Sequence, residues 1–414
     1  AGDVAIAVGR IVKLGQVGAD FEPDRTIDAH GLVVTPGLFD LAARLREPGH
    51  EHEGMLESEM AAAVAGGVTS VVCLPDTEPP LDEPGLVEML KFRARNLNLA
   101  HLYPLGALTR GLAGDTLTAM AELTEAGCVA FSQAEVPIKD TLVLHRALQY
   151  AATFGYAVWL RPNDAWLGGG VAAKGPLATR LGLSGVPAIA ETIALATLFE
   201  LVRDTRARVH LCRLSSAAGI ELLRRAKAEG LPVTADVSVN QLHLIDQDIG
   251  YFNAAMRLTP PLRQQRDRDA IRAGLADGTV DALVSDHTPV DADAKHLPFA
   301  EADPGATGFE LLLSLTLKWG LEANLTLART LATVTCAPVG VLGAVLGSVA
   351  DSAGRLVEGG VADLCVYDPR ATWTVRPERF VSQGRHSPFA GYELPGRVRY
   401  TLVAGGVAYE AATG

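Results

Sequence analysis

Five polar side chains each end an apolar run. Arg44 follows LFDLAA, Gln133 follows CVAFS, Arg161 follows AVWL, Arg213 follows RVHLC and Asp286 follows DALVS. A guanidinium is cationic at every accessible pH, carries only N–H donors and has no lone pair to offer a metal. Three of them beside one carboxylate would repel Zn²⁺ and instead pair with acids or hold an anion. His50 and His52 form a His-x-His pair, but they follow Leu45-Arg46-Glu47-Pro48-Gly49 and not a strand, which reads as a solvated loop. The five cysteines, Cys73, Cys128, Cys212, Cys336 and Cys365, are scattered without CxxC spacing. That pattern points to reduced thiols and against a disulfide framework or a cysteine zinc site. None has an adjacent His–acid pattern, so no nucleophile is expected among them.

The apolar runs that carry these residues read as strands. Eight candidates start near Val33, Gly67, His101, Gly127, Ala157, Arg208, Pro232 and Asp281. They are nearly continuous in apolar residues, as strands buried on both faces must be. Between them lie stretches such as GMLESEMAAAVAGG and ETIALATLFELVRDT, whose apolar residues recur at three and four. Strand–helix alternation of this kind predicts an α/β fold, a (β/α)8 TIM barrel with its chemistry at the C-terminal strand ends. A doubly wound sheet is the alternative, but no GxGxxG follows the first strand. Both chain ends are β-rich, with a turn expected at Gly9-Arg10. Residues 1–36 plus 352–414 therefore form a small discontinuous β-domain in this reading, and 37–351 the barrel. The Asp-, Ala- and Pro-rich stretch Thr288–Thr307 would follow the eighth strand as a mobile lid.

The 414 residues are 48% hydrophobic and 20% charged, enough for a large core. A net charge of −12 without a basic block argues against nucleic acid or an anionic membrane surface as partner. No transmembrane run or signal peptide is visible in the sequence, and a soluble cytoplasmic protein is expected. The chain does not begin with Met, so natural residues can precede Ala1.

Taken together, Val34-Thr35-Pro36-Gly37-Leu38-Phe39-Asp40, Leu45-Arg46-Glu47-Pro48-Gly49, Pro260-Pro261-Leu262-Arg263 and Ser285-Asp286-His287-Thr288-Pro289 resemble the dihydroorotases of the cyclic-amidohydrolase superfamily. The likeness runs on to Gly359-Gly360-Val361-Ala362-Asp363-Leu364 and covers essentially the whole chain. It implies a barrel of the amidohydrolase type, in which a zinc-held hydroxide attacks an amide carbon. It also implies a His-x-His where this chain has Ala42 and Arg44, and a bridging Asp or modified Lys at Ser132-Gln133-Ala134. Histidines are implied where Arg161 and Arg213 stand, and only the last ligand persists, as Asp286.

That comparison leads to an expectation of no metal, no cofactor and a pseudoenzyme. Arg46 matches the residue that pairs with the substrate carboxylate in the family, and Thr259 replaces an Asn that also contacts it. Arg46 has an equal structural reading, an ion pair with Glu47 or another acid. The resemblance further implies a non-catalytic structural chain of aspartate transcarbamoylase, built as dimers within a dodecamer of six plus six chains. A divergent metal-independent cyclic amidohydrolase and a pyrimidine-binding sensor are the alternatives. Arg44, Arg161 and Arg213 are expected to fill the metal cavity and pair with Asp286, Asp40, Asp164 or Asp236. His287 is expected to pack or cap, His210 to be held by a backbone bond, and Asp363 to be structural.

Overall fold

Runs of apolar residues with no alternation need both faces covered, and the eight strands obtain this by lying side by side in chain order. They are Leu38–Ala43, Val68–Cys73, His101–Ala107, Ala130–Ser132, Ala157–Leu160, Arg208–Leu211, Val233–Ser238 and Ala282–Val284, all parallel. The computed structural model describes residues 2–19 and 21–412. A parallel bridge between Ala43 and His287, with Arg44 N–H donating to the His287 carbonyl at 2.8 Å, links the eighth strand back to the first. The fold is thus a (β/α)8 barrel. One buried cluster, including Phe39, Leu105, Trp159 and Val284, lies on the strand faces opposite those that meet the helices and fills the barrel.

Helices cover the outside through amphipathic stripes. Thr141–Phe154 buries Leu144, Ala147, Leu148 and Ala151, the spacing of one helical face. Asp140 caps it by accepting from Leu142 N–H, and Gly155 ends it in the left-handed region. Ala217–Ala228 starts in the same way from Ser216, whose hydroxyl accepts from Gly219 N–H.

Val33–Pro36 joins Leu364–Thr374, Glu393–Val403 and Gly406–Glu410 in a four-stranded antiparallel sheet. This sheet docks on the barrel through buried Cys365 and Tyr367 and a bond from Thr401 Oγ1 to the Val64 carbonyl at 2.6 Å. Asp3–Ala7 and Arg10–Gly15 form a separate hairpin. Its turn falls on Val8 and Gly9, both at positive φ, and not on Gly9-Arg10, because Ala7 pairs directly with Arg10.

Two segments depart from simple reading. Leu327–Val349 is apolar enough to cross a membrane by composition, yet it is broken into helices Leu327–Ala332 and Cys336–Leu342 and a 3-10 turn. Leu331, Val334, Val339 and Leu346 pack into the interior from it. The stretch Thr288–Thr307 is anchored where a free lid was expected. Val290, Phe299 and Ala302 are buried, and Lys295 Nζ donates to the Ala254 and Arg257 carbonyls at 3.3 and 3.1 Å.

Candidate functional site

The barrel mouth is built around one carboxylate that its strands do not carry. Glu135 sits just past the fourth strand, turned inward by Ala134 at φ 49°. Arg44 Nη2 reaches its Oε1 at 3.0 Å, Arg213 Nη2 contacts the same oxygen, and Arg161 Nε lies against Oε2. The Arg161 contact is an ion contact whose N–H does not point along a hydrogen-bond direction. Arg44 Nε also pairs with Asp76 at 2.8 Å, and Arg213 Nη1 with Asp286 at 3.1 Å. Three guanidiniums therefore meet three carboxylates, and the cluster is formally neutral.

Enclosure sharpens these charges. Burial alone would raise the pKa of Glu135, but Arg213, Arg161 and Arg44 outweigh it and hold the carboxyl well below the usual range. The side chain as a whole is 30% exposed, while its Oε2 is enclosed. For Asp286 the balance reverses: burial raises its pKa despite Arg213 and Arg44. Arg213 is 2% exposed and kept charged, burial being overcome by Glu135 and Asp286. Arg46, Ala134, Arg213 and Asp286 all hold positive φ without being glycine. Such backbone strain gathers at sites that the surrounding structure over-determines.

The expected partners of the arginines are corrected by this geometry. Only Asp286 of the four holds a guanidinium. Asp40 is fully buried and bonded by the Ser285 backbone N–H at 3.1 Å and by its hydroxyl. Asp236 accepts from Arg213 N–H at 2.7 Å and faces His210 Nε2 at 2.9 Å. Asp164 closes its own loop through Trp166 and Leu167 N–H. Glu135 and Asp76 take the ion pairs instead, because both belong to loops that fold back over the mouth.

The remaining candidates are dispersed. Ala42 offers a buried methyl to the barrel interior. Gln133 turns away, accepting from Thr109 Oγ1 at 2.9 Å and donating to the Leu112 carbonyl at 2.7 Å. Arg46 Nε is held by Glu53 at 2.9 Å and the Pro289 carbonyl at 2.7 Å, while Glu47 pairs with Arg93. Thr259 lends its carbonyl to Arg213 Nη1 at 3.3 Å. His287 is packed, stacked on Phe309 with centroids 3.9 Å apart and facing Glu59 Oε2 at 2.8 Å. His210 is held by the side chains of Thr234 and Asp236, not by a backbone group. Asp363 joins His101 Nε2 at 3.1 Å and the Ala404 N–H. His50 and His52 stay on the surface loop, and all five cysteines are free.

The zinc pair of the resemblance does not fit this mouth. Three of its donor positions carry guanidiniums, one an alanine methyl, and Gln133 has both amide atoms engaged elsewhere. Among the described residues, His210, Cys212 and Asp236 bring ligand atoms within 4.8 Å of one another. Both nitrogens of His210 already have partners there, and burial pushes the Cys212 thiol far up. That group reads as a closed hydrogen-bonded layer.

Comparison with known proteins agrees with the fold. The family model described as "Dihydro-orotase-like" matches residues 31–218, and the one described as "Amidohydrolase family" matches 184–409. The "Dihydroorotase-like protein" of Pseudomonas aeruginosa is 44% identical over 99% of this chain and 95% of its own. The "Dihydroorotase" of Citrifermentans bemidjiense is 38% identical over 99% of this chain and 95% of its own. The solved structure of L-hydantoinase (dihydropyrimidinase) from Arthrobacter aurescens superposes with a TM-score of 0.87 at 23% identity, covering 98% of this chain and 92% of that one. The expectation of a pseudoenzyme is overturned by relatives such as the second of these, since a full-length relative at that identity is named as an enzyme. A changed donor set removes one way of making hydroxide and leaves other routes to activity open.

Proposed function

The chain belongs to the dihydroorotase-like family of amidohydrolases, and from that premise we propose that it serves in pyrimidine metabolism as a structural partner chain of aspartate transcarbamoylase. The observation that carries the reading is the neutral guanidinium–carboxylate cluster at the barrel mouth. It ties the loops after the first, second, fourth, fifth, sixth and eighth strands into one rigid face, which suits a surface that must hold a partner. Dimers of the barrel bridging transcarbamoylase trimers, six chains of each, would form a closed assembly. The test is transcarbamoylase activity with and without this chain. The reading expects activity to fall when the chain is removed and to return when it is added back. Unchanged activity of the lone transcarbamoylase contradicts it.

A second reading is favoured by the relatives named as dihydroorotases. In it the chain acts on a dihydropyrimidine ring without the zinc pair. Asp286, with its raised pKa, would move the proton while the arginines steady developing negative charge. Turnover of carbamoyl aspartate that survives chelators and is lost in Asp286→Asn supports this second role. Turnover that chelators abolish contradicts it.

A further inference from the structure

Outside the barrel mouth, the loops after the fourth and fifth strands leave a groove over the first turns of helices Thr141–Phe154 and Ile189–Thr205. Leu144, Leu160 and Leu198 lie along its floor, and Arg161 closes its inner end with its charge already met by Glu135. The rim is apolar and open to solvent. Val136, Trp166 and Ile193 line it, and exposed Leu142, Leu167 and Ile189 adjoin them along the chain or one helical turn away. Exposed apolar side chains scattered singly are ordinary on a folded surface, but a set gathered around one groove marks a surface that something covers.

Trp166 stands out among them. It is 79% exposed, yet the loop that carries it is fixed. Asp164 accepts from the backbone N–H of Trp166 and of Leu167 at 3.0 and 2.8 Å, and Lys139 Nζ lies 5.2 Å from the centre of the indole ring. A large ring already held in place loses little freedom when a contact covers it, which is what a binding anchor needs.

The surface area points to an occupant of protein size. A folded monomer of 43.5 kDa exposes about 15,300 Å², whereas this chain exposes 16986 Å². A standard interface takes about 800 Å² from each partner, so the excess is large enough for a dimer face. The shape and charge of the groove point to a second copy. Trp166 projects and the groove recedes on one face, so a two-fold axis through it seats each ring in the other copy's groove. Lys139 and Asp140 are exposed neighbours of opposite sign at the rim, and the same axis sets each against its opposite.

We propose that this face joins two copies of the chain, with Trp166 of each packed in the groove of the other. The proposal goes beyond the transcarbamoylase reading, which gives its barrel dimers no face, and it is tested on the free chain alone.

The test is light scattering of the full-length chain on a size-exclusion column over a dilution series. The expected result at micromolar concentration is a species of twice the 43.5 kDa chain mass, with tryptophan emission shifting to the red as dilution uncovers Trp166. Trp166→Ala should raise the dissociation constant about thirtyfold, the loss of one anchor at an interface centre. Ile193→Asp, which sets a charge in the same face, is the second variant and should also weaken the dimer. Far-UV circular dichroism confirms that each is folded. Tyr251→Ala removes an exposed ring outside the groove and should leave the dissociation constant unchanged. A dimer that the two groove variants weaken supports the proposal even if no mixed complex with transcarbamoylase forms. A chain that stays at 43.5 kDa, including one that gains mass only when transcarbamoylase is added, overturns it. So does a dimer that both groove variants leave as tight as the parent's.

Discussion

Glu135→Gln should destabilise the protein more than any other isosteric change at the mouth. The glutamine keeps the shape but removes the charge that three guanidiniums share. Breaking a buried ion pair from one side costs about 3–5 kcal/mol, because the other charge stays behind without its counterion. The 30% exposure of the Glu135 side chain places this case at the lower end, about 3 kcal/mol. For a chain of this length, unfolding entropy converts each kcal/mol to about 1 °C, so the melting temperature should fall by roughly 3 °C. The pH dependence adds a second signature. Because the folded-state pKa of Glu135 is depressed, its stabilisation is complete above the unfolded carboxyl value of about 4.3 and is lost as pH falls below it toward the folded value. Denaturant titrations of both proteins at pH 7 and at pH 3 read this directly. The gap should be wide at pH 7 and narrower at pH 3. A difference within about 0.5 kcal/mol at pH 7, or a gap unchanged at pH 3, would refute the assignment of Glu135 as the hub.

Three further outcomes follow from other contacts. Glu59→Gln removes the carboxylate that faces His287 and accepts from Ser382 Oγ and Gln383 N–H, so trypsin should cut near Arg379 and Arg385 several-fold faster than in the parent. Asp140→Ala deletes the cap of helix Thr141–Phe154 and should cost about 1 kcal/mol in denaturant unfolding. Replacing Ala42, Arg44, Arg161 and Arg213 with histidine together with Gln133→Asp should create zinc binding at the mouth, measured as metal retained after dialysis. Retention no greater than the parent's would show that the cavity itself is unsuited.

Much of the scaffold is legible in the sequence because its signal is local. Continuous apolar runs such as Val68–Cys73 must be buried on both faces, and their ends place Arg44, Arg161, Arg213 and Asp286 at one mouth. What is not legible depends on loop conformation. Glu135 reaches the arginines only because Ala134 adopts positive φ, which nothing about an alanine announces. Asp76 arrives from the loop after the second strand, some thirty residues from the Arg44 it pairs with. Charge matching predicts that three enclosed or partly enclosed guanidiniums need acids, but it cannot rank Asp40 or Asp236 below Glu135 without knowing that backbone and hydroxyl donors already occupy them. The turn at Val8-Gly9 is a similar case, since valine at positive φ runs against its own preference.

The mass of the complex formed with aspartate transcarbamoylase tests the central claim most directly. Light scattering on a size-exclusion column, run for each protein alone and for an equimolar mixture, gives that mass without reference to activity. The account predicts a single mixed species that contains both chains in equal number and exceeds either protein alone. Two peaks that keep their separate masses at micromolar concentration would contradict it.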